Sequence, residues 1–305
     1  IGEAGGFISA NVICSVSGTV KAVEPRRVAS GGMVNSVVVE NDGQYETVEG
    51  MGADRDPATL SKQEIRDIVK AAGIVGMGGA GFPTNVKLDT SKLEEKPDTL
   101  IVNGSECEPY LTSDHRIMVE NAEQIVDGIV LAMKASGVSC AKVGIEDNKP
   151  DAIAAMREAA SDKQNVEVVS LPARYPQGFE KTLIYSLTGR IVPNGKLPSA
   201  AKCVVMNVGT CAALSAAVRK GQPLIDRVVT VTGRVAKPTN FRVRIGTPLL
   251  DLIDQVGGLT DGVRKLIVGG AMMGNAVSTL NLPITKNFGG FLALGEEAIS
   301  AQESA

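Results

Sequence analysis

Residues 76–84 read Gly-Met-Gly-Gly-Ala-Gly-Phe-Pro-Thr, and Lys87 follows closely. So bare a stretch leaves backbone N–H groups able to wrap a phosphate or lie flat on a ring system, with Lys87 adding positive charge. It lacks the Gly-Lys-Ser/Thr of a Walker loop and follows a helix pattern rather than a strand, so neither standard nucleotide fingerprint applies. A flexible glycine linker is the competing reading. A second segment, Asn103-Gly104-Ser105-Glu106-Cys107-Glu108-Pro109-Tyr110, stands just past a short apolar run. Asn103 and Ser105 can hydrogen-bond sugar or phosphate-chain hydroxyls, and Glu106 and Glu108 can accept from ribityl or ribose hydroxyls. Paired carboxylates equally suit acid–base work or a hard cation, and a solvated acidic turn competes with all of these. The segments Tyr175-Pro176-Gln177-Gly178-Phe179-Glu180-Lys181 and Met206-Asn207-Val208-Gly209-Thr210 also lie past predicted strands. A crevice lined by several loops at strand carboxyl ends is where an open α/β sheet takes its ligands.

The elements that must position these loops follow from periodicity. Ser61 to Glu64 forms a capping box ahead of an apolar face at Ile65, Ile68, Val69 and Ala72, closed by Gly73. Strand patterns at 100–102, 142–145, 166–171 and 203–208 alternate with helical patterns at 117–133, 151–160, 180–187 and 211–219. That alternation predicts a largely parallel sheet covered on both faces. Residues 8–48 read as β structure, with strands at 11–20 and 33–40 and Pro25 as punctuation. After residue 223 the pattern changes to two strands at 227–232 and 241–245, a helix at 248–256 and a strand at 265–268, which predicts a small β-grasp-like unit. A further β-like run occupies 282–294.

Composition narrows the chemistry. The chain has 305 residues, 31 Lys+Arg against 34 Asp+Glu, and a net charge of −3, which excludes a nucleic-acid binder acting through bulk positive charge. No apolar run approaches the ~18 residues of a membrane span. There is one histidine, His115, read as a surface helix residue, so a multi-histidine metal site is excluded and no metal site is expected. The five cysteines form no CxxC and are expected to be free thiols, mostly packing residues, with Cys107 the accessible exception. The start at Ile1 and the end at Ala305 suggest a piece of a longer polypeptide.

Taken in order, GMGGAGFPTNVKL, NGSECEPYLTSDHR, YPQGFEKTLIYSLTGR, VMNVGTCAAL and RVVTVTG…RVRIGTP…VGGAMMG resemble the RnfC family over nearly the whole chain. RnfC is a component of the Rnf complex, the ion-translocating ferredoxin:NAD oxidoreductase of bacteria. More distantly the motifs resemble the flavoprotein of respiratory complex I. The resemblance implies an α/β fold: a Rossmann-like FMN-binding domain at 58–222, flanked by a partial barrel-sandwich hybrid (lipoyl-like) domain at 1–50 and a β-grasp domain of the soluble-ligand-binding (SLBB) type at 224–280. Residues 281–305 would lead to a domain holding 4Fe–4S clusters. It implies that Gly78, Gly79, Ala80 and Lys87 cradle the flavin and its phosphate. Asn103, Ser105 and Glu106 would contact the ribityl and ring, Tyr175, Gly178 and Glu180 would wall the cleft, and Asn207 and Thr210 would close it. NADH would lie over the flavin, against Phe82 and Glu108, with no side chain acting as acid or base because the cofactor performs the chemistry. Where the complex I pattern has two adjacent acids, this chain has Phe179-Glu180. The implied partners are the other subunits of the membrane complex, ferredoxin and NAD(H), at the cytoplasmic membrane face. Soluble relatives that serve cobalamin or proline reduction, and a non-catalytic β-grasp scaffold, are the alternative readings.

Overall fold

The computed structural model describes residues 1–298, so residues 299–305, part of the expected lead into a cluster domain, lie outside the described residues. The elements run β1 (Gly18–Arg27), β2 (Met33–Asn41), α1 (Lys62–Ala71), α2 (Thr84–Leu88), β3 (Thr99–Asn103), α3 (Ser113–Glu120), α4 (Ala122–Ser136), β4 (Cys140–Glu146), α5 (Pro150–Ala159), β5 (Val166–Leu171), α6 (Glu180–Thr188), β6 (Cys203–Asn207), α7 (Val208–Lys220), β7 (Asp226–Gly233), β8 (Thr239–Arg244), α8 (Leu249–Gln255), β9 (Val263–Val268), β10 (Asn275–Val277) and β11 (Gly290–Gly295).

The central sheet is parallel, in the order β5-β4-β3-β6. The chain moves outward from β3 through β4 to β5, then returns to the far side of β3 as β6. The order therefore reverses between β3 and β6, and their last residues, Asn103 and Asn207, pair directly across that switch point. Both strands are apolar runs buried up to these asparagines, as a sheet covered on both faces requires. The expected helices are present. The Ser61–Glu64 capping box forms at α1, and Gly137, Gly189 and Gly221 terminate α4, α6 and α7 in the left-handed conformation that glycine adopts without strain.

Helices α4 and α7 cross where Gly128 meets Cys211. A Cβ on Gly128 would stand 1.9 Å from the Cys211 carbonyl oxygen. Cys211 is fully buried and burial pushes its thiol up to about 12, so it packs as a small apolar group. Nearby, Arg219 Nη2 meets Asp127 Oδ1 at 2.6 Å and Ser215 Oγ donates to Asp127 Oδ2 at 2.7 Å.

The second sheet runs β10-β9-β11-β7-β8 and matches the predicted hairpin, helix and strand of a β-grasp unit. One strand stands elsewhere than expected: β11, part of the run placed in the tail, is the middle strand of this sheet, parallel to β7 and antiparallel to β9. Its burial throughout explains the insertion, since an apolar strand needs neighbours on both edges and both faces. The N-terminal ribbon also differs from expectation. β1 begins at Gly18, not residue 11, and Pro25 lies inside it opposite Asn35, which a two-stranded ribbon with open edges tolerates. Residues 11–17 act as a tether instead. Asn11 Nδ2 donates to the Lys70 and Ala71 carbonyls at the end of α1, and Ser15 Oγ donates to the Ile245 carbonyl beside β8.

The crossing at Gly128 generates a stability prediction. Gly128→Ala forces backbone against backbone, so chemical denaturation should show a loss of at least ~2 kcal/mol and thermal melting a fall of roughly 4–8 °C. An unchanged melting temperature would contradict the close approach.

Candidate functional site

The glycine segment is a closed loop. Val75 and Pro83 form an antiparallel bridge, Gly76 N donates to the Phe82 carbonyl at 2.8 Å, and Thr84 N donates to the Ile74 carbonyl at 3.0 Å. Gly78, Gly79 and Ala80 stand at its tip, with Phe82 partly exposed at its exit. Two contacts seat the loop on the switch point. Met77 N donates to Thr210 Oγ1 at 3.0 Å, and Gly78 lies so close to Asn207 that a Cβ would be 3.0 Å from Nδ2. A Cβ on Gly79 would meet nothing within 4 Å, and its backbone is not in the left-handed region. A freely mobile linker is thus excluded for the segment's two ends.

The acidic loop and the loop after β5 are stitched together at the same place. Asn103 Nδ2 donates to the Gly178 carbonyl at 2.8 Å, and Gly178 N donates to Cys107 Sγ at 3.2 Å. A side chain on Gly178 would press on Cys107, its Cβ 3.1 Å from Sγ. Cys107 is half-buried and burial pushes its thiol up, which disfavours a reactive thiolate. Lys87 on α2 faces Glu180 at the start of α6 with Nζ 3.8 Å from Oε1, a long pairing that leaves the ammonium donors largely unspent. Tyr175 is exposed, its phenol pushed up by desolvation and by the neighbouring Glu108 charge.

Several residues expected to face a ligand point inward instead. Glu106 turns its carboxylate onto the start of α3, accepting from Asp114 N at 2.7 Å, His115 N at 2.9 Å and Ser113 Oγ at 3.2 Å. The reason is local: the residue preceding α3, Thr112, offers no side-chain cap, so the helix draws its acceptor from the acidic loop. Glu106 takes φ +46° to do this, a conformation unusual for a residue with a side chain. Asn207 caps α7, its Oδ1 accepting from Gly209 N at 2.8 Å and Thr210 N at 3.4 Å, while Nδ2 donates to Asp114 Oδ2 at 2.6 Å. Ser105 is fully buried, because Lys149 Nζ draws its carbonyl inward at 2.8 Å. Its hydroxyl has no hydrogen-bond partner among the described residues. His115 is not simply a surface residue: it is partly buried, and its Nε2 lies 2.7 Å from Asp151 Oδ1.

Beneath the loops lies a set of charges that the motifs do not signal. Lys149 and Glu146 are buried at the end of β4, with Nζ 3.4 Å from Oε2. Arg227 on β7 is buried and donates to the Lys286 carbonyl at 2.5 Å and the Met77 carbonyl at 3.4 Å. Burial lowers its guanidinium to about 10, still positive at neutral pH. Asp114 is raised by burial, against the Asn207 hydrogen bond and the Arg227 charge. Glu106 is raised to about 7 by burial first and the Asp114 charge second, against its two backbone donors and Lys149. A signal for Lys149 was present, since Glu146-Asp147-Asn148-Lys149 also follows a predicted strand. Glu108 marks the outer edge: its Oε2 accepts from Met272 N of the β-grasp unit at 2.9 Å.

The raised carboxyl gives the site a pH signature. Glu106 has a folded value of about 7 against 4.5 unfolded, so the native state holds the extra proton between them and stability falls as pH rises from 4.5 to 7. The shift corresponds to on the order of 2–3 kcal/mol. Urea titrations from pH 5 to 8 should show that fall, and Asp114→Asn should flatten it by removing the like charge while keeping an acceptor for Asn207. A slope of the same size in Asp114→Asn would rule out the pairing.

Three segments of the chain match known families. Residues 69–216 match the family model for the Nuo51 FMN-binding domain, residues 228–276 the SLBB domain, and residues 1–44 the RnfC barrel sandwich hybrid domain. The RnfC-type component of the proton-translocating ferredoxin:NAD(+) oxidoreductase complex of Clostridium ljungdahlii is 48% identical over 301 residues, spanning 98% of this chain and 65% of that protein. Its counterpart in the Na(+)-translocating ferredoxin:NAD(+) oxidoreductase complex of Acetobacterium woodii is 46% identical, spanning 98% and 67%. The counterpart in the ion-translocating oxidoreductase complex of Rhodobacter capsulatus is 43% identical, spanning 96% and 57%. The chain thus spans about two thirds or less of the length of these relatives. Among solved structures, an NAD+-reducing [NiFe]-hydrogenase in the H2-reduced state superposes with a TM-score of 0.65 at 23% identity, covering 79% of this chain and 48% of that one, a likeness of fold alone.

Proposed function

The chain belongs to the RnfC family of ferredoxin:NAD(+) oxidoreductase complexes, and from that premise we propose that it is the flavoprotein core of such a complex. In this reading FMN sits against the glycine loop and NAD(H) lies over it. Electrons travel between ferredoxin and NAD(H) by way of 4Fe–4S clusters held outside the described residues, and the protein docks on its partner subunits at the cytoplasmic membrane face. No helix among the described residues is long and apolar enough to cross a membrane, in keeping with peripheral docking. The soluble-reductase and scaffold readings are not favoured, because the close relatives are subunits of ion-translocating complexes.

The observation that carries this reading is the bare tip of the glycine loop standing open over the switch point. The residues fit the group. Space beyond Gly79 is unobstructed, so a flat ring can approach the backbone, and Lys87 is only loosely paired and available to a phosphate. Gly78, Gly79, Ala80 and Lys87 would hold FMN, with Tyr175, Gly178 and Glu180 walling it. Asn103, Ser105, Glu106, Asn207 and Thr210 act from beneath, fixing the loops rather than touching the ligand. Phe82 and Glu108 would meet NAD(H). When bound, FMN links two-electron exchange with NAD(H) to one-electron exchange with clusters. The protein's own part is binding and orientation. The buried Arg227 and Lys149 keep the floor of the site positive beneath an anionic cofactor, and the interlocked loops keep the tip rigid.

Flavin retention after desalting tests this. Gly79→Val should lose FMN while melting as the unsubstituted apoprotein does, because its side chain fills only the space the ring needs. Lys87→Ala should weaken FMN by about tenfold through one lost charge-assisted contact. An unsubstituted protein that retains no flavin absorbance, or a Gly79→Val protein that retains as much, sinks the assignment. Glu108→Gln should weaken NADH reduction of the flavin more than it weakens FMN retention, and equal effects would count against its role.

A further inference from the structure

We propose that the turn at residues 269–274 of the β-grasp unit is a working part of the dinucleotide site, positioning the Glu108 carboxylate so that one oxygen is held by the turn and the other is left for the ligand. The inference rests on the reading that NAD(H) binds at Glu108, and it adds a second structural unit to that site.

Three observations carry it. First, Glu108 Oε2 accepts from Met272 N at 2.9 Å, whereas Oε1 has no hydrogen bond among the described residues. A carboxylate is an acceptor and ribose hydroxyls are donors, so the remaining oxygen suits a ribose of the dinucleotide. Second, only glycine permits the arrangement. A Cβ on Gly270 would stand 2.1 Å from Glu108 Oε2, 2.4 Å from its Cδ and 2.6 Å from its Cβ. The atoms in conflict belong to the Glu108 side chain, so a substitution there displaces the carboxylate rather than backbone. Third, the turn is itself anchored. Gly274 N donates to the Gly270 carbonyl at 2.9 Å, and Gly269 N donates to the Gly290 carbonyl of β11 at 2.7 Å. The acidic loop is fastened to the same unit a few residues on, where Thr112 N donates to Thr230 Oγ1 at 3.1 Å. Met272 acts through its backbone N–H, and Met273 is 78% exposed with no part in holding Glu108.

The turn is therefore a positioning element: it sets the side-chain direction of Glu108 without need of its own side chains. FMN affinity should be indifferent to it and dinucleotide affinity should not.

The test is calorimetric titration of NAD+ into the FMN-loaded protein. Gly270→Ala should bind NAD+ about tenfold more weakly, the loss expected for one hydrogen bond to a charged group, with FMN retention unchanged. Met272→Pro, which deletes the donor without adding a Cβ at residue 270, should do the same. Met273→Ala should bind as the unsubstituted protein does. A positioning role also predicts that Gly270→Ala adds no further loss to Glu108→Gln, because both act through one carboxylate. If Glu108→Gln weakens NAD+ while Gly270→Ala and Met272→Pro leave it unchanged, or if the losses add fully, the positioning role is wrong and the functional reading stands. If the unsubstituted protein holds no FMN or no NAD+, or Glu108→Gln binds NAD+ normally, the functional reading fails and this inference with it.

Discussion

Asn207 ends β6 with both halves of its amide engaged, and the site is assembled around it. The oxygen side accepts from Gly209 N and Thr210 N, while the nitrogen side donates to Asp114. The first contact starts α7 and fixes Thr210, whose hydroxyl holds the Met77 N–H and with it the root of the glycine loop. The second reaches Asp114 at the start of α3, the helix that Glu106 caps from the acidic loop. Gly78 must pass within van der Waals contact of the same side chain. One neutral amide thus links three segments far apart in sequence. An amide suits this position because it donates and accepts at once, which neither an aspartate nor a leucine of similar size can do.

The charges under the loops follow from that geometry. Drawing Glu106 and Asp114 inward places two carboxyls in a poorly solvated region, and the structure answers with Lys149 and Arg227 from β4's end and β7. Pairing of buried charges rarely adds net stability, so their value is better sought in specifying how the loops sit. Arg227 ties the β-grasp unit to the underside of the glycine loop through the Met77 carbonyl. Lys286 does similar work further along, donating to the Asn11 and Gly73 carbonyls at 2.5 Å each, with burial lowering its ammonium to about 8. The α/β sheet and the β-grasp sheet are therefore joined by buried cations binding backbone carbonyls, and the rim of the cleft is shared between them at Glu108.

Much of this was written in local pattern. Alternating apolar strands and amphipathic helices, the Ser61–Glu64 box and the glycine stops needed only neighbours within a turn or two, and the structure has them. The strand-end position of Asn103, Tyr175 and Asn207 was legible for the same reason. The ribbon and tail were less so. Residues 11–17 look like a strand because they are apolar and β-branched, yet they serve as a tether. The run ending in β11 looked like a tail because its sheet partners lie far off in sequence.

The direction of side chains at the site was the part hidden from the sequence. Glu106, Ser105 and Asn207 are the residue types a polyol or phosphate ligand would want, and their spacing says nothing about which way they turn. That choice was made by helix ends without caps of their own and by buried Lys149, groups brought alongside only when β3, β4 and β6 align. What the sequence determined alone was the set of loops and the bare backbone of Gly78 and Gly79, since glycine's freedom belongs to the residue itself. What tertiary structure decided was which carboxylates face inward and that Glu108 is shared with the turn at Gly270, because hydrogen bonds between segments a hundred residues apart depend on the fold that brings them together.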